Sequence, residues 1–326
     1  MAVTTTGSTI NTLPKFYNKV FLERLVPNPV MMNYAIMKPQ PTGNGTVVYF
    51  PRIANSSYMV SAYALTEGTA VTPRKFVDVQ VSATIIQYGD AIAVSDLAEL
   101  TVIDSTTMEV VKEQGDLAKN IIDKRIMEEA YGTSATASGA GFSMFFWNTA
   151  SNAGLGTSTS AGFTYAGTVE YAMSVKTLRA ATSALRVRNV RPFDSGYFAL
   201  VCHTNTAAKI LADSEWQAGY QYTDPIQMRK GAVAQFGGTE VVVDNNVTTS
   251  ANGSAGNTLY YSILLGQGGL GVTQLDGGVS TIIKKSGEQD TSNPLNQFST
   301  FGWKINFVPV RLNLSSGLIV ITADGN

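Results

Sequence analysis

Apolar positions recur along this chain at two different spacings, and the switches between them mark its elements. From Pro14 to Pro27, Phe16, Val20, Phe21 and Leu25 fall at helical spacing until Pro27 stops the run, which predicts a short amphipathic helix on an N-terminal arm. Residues 46 to 53 and 75 to 96 then read as strands, separated by a stretch rich in Tyr, Ser and Thr, so the pattern predicts a long hairpin with an extended tip. The alternation through Phe76, Val77, Val79 and Val81 is only partial. A two-stranded ribbon buries too little apolar surface to stand alone, so this one must lie on a partner surface.

Between Asp104 and Tyr131 the spacing becomes helical again. Met108, Val111, Ala118, Ile122 and Ile126 form one line with Val110, Leu117 and Ile121 beside it, while Lys112, Glu113, Asp116, Lys119, Asp123 and Lys124 lie largely off it. Asp104 or Ser105 can cap its start and Gly132 its end. At 1.5 Å per residue such a helix is about 42 Å long. Residues 133 to 166 are rich in Gly, Ala, Ser and Thr around Phe145, Phe146 and Trp147, which predicts an insertion loop with a hydrophobic anchor.

A second helix is expected from about 167 to 188, then a buried strand ending near Cys202, a helix capped by Asn205, and a turn-and-strand unit over 231 to 246. Two more strands follow, at 258 to 266 and 279 to 285, before a closing pair. In that pair a Gly302-Trp303-Lys304 turn separates strand-like runs, with Ile305, Phe307 and Val310, then Leu318, Val320 and Ile321, near period two. The C-terminal segment is thereby expected in the core, with Trp303, Ile305 and Phe307 among its structural residues.

Composition narrows what such a chain does. Only 14% of the 326 residues are charged, against 44% hydrophobic, and the net charge is -1, so copies of the chain repel one another little. One cysteine, Cys202, excludes an internal disulfide. The start of the chain lacks a basic run followed by an apolar block, and no apolar run reaches the ~18 residues of a membrane span, so the expectation is a soluble protein made intracellularly. Up to residue 52, Lys15, Lys19, Arg24, Lys38 and Arg52 face the single acid Glu23, which makes the arm a candidate for contact with something anionic or an ordinary solvated surface.

Catalytic patterns are sparse. His203 is the only histidine, and its neighbour Cys202 points to the opposite face of a strand, so neither a Cys-His nucleophilic pair nor a shared metal site forms there. Gly266, Gly268 and Gly271 match a dinucleotide-binding spacing, but no helix follows to supply oriented amides, and a turn between strands is expected instead. Glu128 with Glu129, or Asp116 with Asp123, are read as solvated or ion-paired helix-face carboxylates rather than acid-base pairs.

Four passages carry a resemblance to a known family: Leu65-Thr66-Glu67-Gly68, Gln87-Tyr88-Gly89-Asp90 ahead of Ser95-Asp96, Gly231 through Asn245, and Asn293-Pro294 through Gly302-Trp303-Lys304. In that order, with an arm, a long hairpin and a long helix between them, the chain resembles the major capsid proteins of tailed phages, in the subgroup of the N4-like podoviruses. The resemblance implies an α+β Hong Kong 97 capsid fold with an N-arm (1–45), an extended E-loop hairpin (46–94), and a peripheral domain (95–195) holding a spine helix at 104–131 and the insertion at 133–166. An axial domain (196–280) and C-terminal strands returning to the peripheral domain (281–326) complete it. This chain departs from the pattern in its aromatic, Ser/Thr-rich insertion and in lacking a long charged helix before residue 14.

The function so implied is a major capsid protein assembling, without cofactor or enzymatic activity, into hexamers and pentamers of an icosahedral head around double-stranded DNA. Decoration or scaffold proteins and a portal are the implied partners, the virion its location, and the host cytoplasm the place of synthesis. Tyr58, Tyr63, Glu67 and Arg74 are the implied inter-subunit contacts, and Lys15, Lys19 and Arg24 the DNA-proximal residues. An encapsulin-like nanocompartment shell is the alternative, and an enzyme without a readable motif the third.

Overall fold

The computed structural model describes residues 20–21, 29–53, 64–65, 67–68, 70, 78–101, 106–132, 141–146, 154–156, 172–223, 235–251, 257–284, 294–295 and 297–323. In chain order the strands are β1 (Ala35–Met37), β2 (Val47–Ile53), β3 (Asp78–Thr84), β4 (Ile86–Ser95), β5 (Ser143–Phe146), β6 (Gly154–Gly156), β7 (Phe198–Cys202), β8 (Gln235–Phe236), β9 (Thr239–Val243), β10 (Thr249–Ser250), β11 (Leu259–Leu265), β12 (Leu270–Lys284), β13 (Phe298–Arg311) and β14 (Gly317–Ala323). The helices are α1 (Asp96–Thr101), α2 (Thr106–Tyr131), α3 (Val175–Val187), α4 (Thr204–Ala212) and α5 (Ser214–Thr223). Among the described residues the strands form an eight-stranded sheet, a four-stranded sheet and a two-stranded ribbon.

The eight-stranded sheet runs β6-β5-β14-β11-β7-β9-β8, with β10 beside β11. Its inner strands β7, β11 and β14 are buried along their whole length, as expected of unbroken apolar runs covered on both faces. Period two sorts their side chains. Leu200, Leu264, Leu318 and Val320 pack with Leu178 and Leu185 of α3 and with Trp216 of α5, while Val201, Ile263, Ile319 and Ile321 join the core on the other side with Ile122 and Ile126 of α2.

The four-stranded sheet has the order β1-β12-β13-β4. Phe301, Trp303, Ile305 and Phe307 of β13 alternate onto one face and share the α2 core. Helix α2 is thereby wedged between the two sheets. This explains why its second half is buried on more than one side, including Asp123, Arg125 and Glu129. Gly132 ends the helix in the left-handed region, φ 77°, and the close approach of the Gly141 backbone leaves no room there for a Cβ.

Several sequence expectations change. The run 75 to 96 divides at Ile85: β3 pairs with β2 in the ribbon, whereas β4 pairs with β13, from Phe298↔Ser95 to Phe307↔Ile86, so 86 to 94 belongs to the body and not to the hairpin. Gly302-Trp303-Lys304 is no turn but the middle of the 14-residue strand β13. The closing strands part company, β13 entering the four-stranded sheet and β14 the eight-stranded one. Ser143–Phe146 of the insertion is not a loop anchor but strand β5, parallel to β14. The cap at the Asn205 end is His203, whose Nδ1 accepts from Asn205 N at 3.2 Å, and the helix breaks at Asp213 into α4 and α5. Val175–Val187 forms the core of the expected second helix, capped by Ser174. Positions 167 to 171, and most of the arm helix, lie outside the described residues.

Candidate assembly surfaces

The ribbon pairs Val47↔Thr84 through Ile53↔Asp78 in register, so its side chains alternate between two faces. Val48 and Phe50 are buried in a small apolar cluster with Val308 and Val310, the end of β13 whose outer face they cover. Their neighbours Val47 and Tyr49 turn outward, 39% and 50% exposed. Lys38, just beyond β1, holds the base of the ribbon by donating to the Tyr49 carbonyl at 2.8 Å, with its ammonium 5.2 Å from the Phe50 ring centre. Towards the tip Leu65 is 76% exposed and Glu67 is exposed beside Gly68, which has φ 78°.

Further along, the outer face of the same sheet is bare. Gly89, Ala91, Thr300 and Gly302 floor a shallow groove of about 440 Å³ edged by Ile282, a large apolar side chain left exposed. The glycine at 89 is forced by proximity, because a Cβ there would stand 2.5 Å from the Trp303 carbonyl oxygen. Beneath, Trp303, Ile305 and Phe307 are 2%, 1% and 0% exposed.

Buried charges tie these surfaces to α2. Glu129 lies 3.4 Å from Arg311 Nε and 3.7 Å from Arg125, and Arg125 Nε donates to the Tyr88 hydroxyl at 2.8 Å. Loss of hydration raises the Glu129 pKa, opposed by the two guanidiniums. Glu129 and Arg311 also line a cavity of about 270 Å³ under strand β3 of the ribbon. Earlier on α2, Asp123 accepts backbone N–H groups of Val30 and Met31, at 3.0 and 3.2 Å, which pins the arm's 3₁₀ turn Met31–Tyr34 to the helix. Burial pushes the Asp123 carboxyl up to about 7, with Asp244 adding to the rise and Lys119 and the two N–H groups opposing it.

The burial of these charges was missed in the sequence, where Asp123 and Glu129 read as solvated or ion-paired helix-face carboxylates; Glu129 is indeed ion-paired, but inside the protein. Arg311 left a usable signal, a lone charge in the apolar run FVPVRL. Of the anticipated contact residues, Glu67 is placed at the exposed tip, whereas Tyr58, Tyr63 and Arg74 lie outside the described residues, as do Lys15, Lys19 and Arg24. Cys202 is buried and its thiol is pushed up to about 12, so it is not poised as a nucleophile. Gly266 and Gly268 lie in the turn leading from β11 into strand β12, which already holds Gly271, without a helix. Among the described residues no cluster of three metal-ligating side chains exists, and no helix is long and apolar enough to cross a membrane.

A family model described as phage capsid protein matches residues 78–312. The chain therefore belongs to the phage capsid protein family, structural components of the virion that form the phage head. Among solved structures it is similar to the capsid of Ralstonia phage GP4, at 11% identity and a TM-score of 0.64, covering 90% of this chain and 91% of that one. The acidic stable capsid of Helicobacter pylori bacteriophage KHP30 is similar at 12% identity and a TM-score of 0.61, with 90% and 91% covered. For the Cyanophage Pam1 capsid the values are 12% and 0.60, with 93% of each chain covered. Among curated proteins, none is similar in sequence to the chain.

Proposed function

We propose that copies of this chain assemble into an icosahedral head on the Hong Kong 97 plan, as hexamers and pentamers, with the hairpin of each copy lying on the bare sheet face of a neighbour. One observation carries this reading. The outer face of the four-stranded sheet is covered by the chain's own Val48 and Phe50 at its Val308–Val310 end and is open over Gly89, Ala91 and Gly302. A flat floor of small residues admits a second ribbon closely, and Val47 and Tyr49 offer the apolar side chains to fill it. Each contact is modest, but a subunit in a closed shell leaves only by breaking several at once.

The sequence passages quoted above support placing the chain with the N4-like podoviruses, with synthesis in the host cytoplasm. The arm anchored at Asp123, the hairpin, the α2 spine and the two sheets support a division into N-arm, E-loop, peripheral and axial parts. The boundary between hairpin and body then falls at Ile85. Electron microscopy and light scattering of the purified protein test assembly: shells or capsomers are expected, and a monomer of about 35 kDa at every salt and protein concentration would refute it.

A further inference from the structure

The ribbon is carried on the body of the subunit by two links, Ile85 on one side and residues 41 to 45 on the other. The second link starts at Gln40, whose backbone N–H donates to the Gln274 carbonyl of β12 at 3.0 Å. It ends at Thr46, whose carbonyl accepts from the Ile85 N–H at 2.8 Å. Every residue between them is exposed. This link contains Asn44-Gly45, one of two Asn-Gly dipeptides in the chain; the other, Asn252-Gly253, lies outside the described residues.

Three features favour attack of the backbone on the Asn44 side chain. Gly45 has no side chain to shield its nitrogen, and open space surrounds the place where a Cβ would stand. Asn44 is exposed, so water reaches its amide. Gln40 Nε2 donates to the Asn44 backbone carbonyl at 3.3 Å. That carbonyl and the Gly45 nitrogen belong to one peptide group, so a donor on the oxygen stabilises the anion left when the Gly45 N–H gives up its proton. Because the Gln40 backbone is fixed on β12, the sheet and not the loop sets the position of this donor.

We propose that Asn44-Gly45 is a site of spontaneous covalent modification, a deamidation assisted by Gln40. The deprotonated Gly45 nitrogen attacks Asn44 Cγ; the N–Cγ bond forms, the Cγ–Nδ2 bond breaks, and the amide nitrogen leaves as ammonia with the proton that Gly45 released. Water then opens the succinimide ring at one carbonyl or the other. One product is aspartate; the other is isoaspartate, in which the backbone runs through the former side-chain carbon. Either adds a negative charge near neutral pH, and isoaspartate also lengthens the link by one carbon. The chemistry is independent of the coat function. On the assembly proposed above, it alters the joint that aims the hairpin at a neighbour.

Incubation of the purified full chain near neutral pH, followed by peptide mass spectrometry with chromatography that separates isoaspartate from aspartate, tests the site. Asn44 should convert faster than any described asparagine that no glycine follows. Gln40→Ala should slow the conversion about two- to tenfold, the worth of one hydrogen bond, while Asn252 in the same variant keeps its rate. A bond that only stiffened the link would have the opposite effect, so the rate separates the two roles. Gly45→Val, whose branched side chain shields the nitrogen, should stop the reaction over the same period, and a melting curve equal to wild type shows that each variant is folded. An Asn44 that stays intact while Asn252 converts, or an equal or faster rate in Gln40→Ala, would overturn the proposal. Wild-type protein that forms no shells overturns the coat assembly instead, and peptide mapping of the free subunit still decides this site.

Discussion

Asp123 shows how a single residue escapes a sequence pattern. It lies beside Ile122 on a face that a helix against one partner would leave in water, yet α2 is enclosed by two sheets and by the arm's 3₁₀ turn, and the carboxyl is fully buried. Its folded pKa of about 7 lies above the ordinary aspartate value of 3.8, so folding is linked to proton binding. The stabilising contribution is complete below about pH 4 and is lost as pH rises through about 7, and Glu129, also raised, acts in the same sense. Unfolding free energies of the wild type, from denaturant titrations, should therefore fall between pH 4 and 7 relative to those of Asp123→Asn, by on the order of 4 kcal/mol at most. Parallel curves would show that the carboxyl titrates normally. Glu129→Ala removes the carboxylate between two buried guanidiniums and should cost about 3 to 5 kcal/mol, with part of the loss recovered when Arg311 is also replaced by Met. Trp303→Ala should cost a similar ~3 to 5 kcal/mol by leaving a cavity between β13 and α2, measured by the same denaturation.

At the scale of elements, whatever depended on side-chain periodicity was legible and whatever depended on partner choice was not. The α2 stripe of Val111, Ala118, Ile122 and Ile126 was read correctly and is buried. The strands on either side of Ile85 form one continuous strand-like run, and nothing in that run tells which residues pair with β2 and which with β13, because hydrogen-bond partners leave no trace in hydrophobic spacing. Likewise Gly302 reads as a turn residue, although here it lets β13 run close against Ala91 of β4. The corrected boundary makes the hairpin tip separable from the body. Removing residues 54 to 74 behind a short Gly/Ser link should leave β2, β3 and both sheets folded, with circular dichroism and melting close to wild type, yet abolish shells in electron micrographs. A variant that melts tens of degrees lower would place the tip in the subunit core.

For the whole molecule, the candidate contact surface was only half legible. The resemblance pointed to the hairpin as the element that reaches across, but the surface proposed to receive it is assembled from β4, β12 and β13, which are far apart in sequence and share a floor only once the four-stranded sheet forms. Ala91 lies at the centre of that floor and is exposed, so a larger side chain there meets solvent in the lone subunit and should change its stability by less than about 0.5 kcal/mol. In a shell the same side chain would occupy the place of a neighbour's ribbon. Because every subunit carries the change, each closed contact is lost together, and multivalency amplifies the defect instead of hiding it. Ala91→Arg should accordingly give a monomer with an unaltered melting curve that forms no shells by light scattering, and Tyr49→Ala, which empties the matching side, should raise the protein concentration needed for assembly. Normal shells from Ala91→Arg would mean that neighbours meet through another surface, and the exposed leucines of α1, Leu97 and Leu100, would be the next place to look.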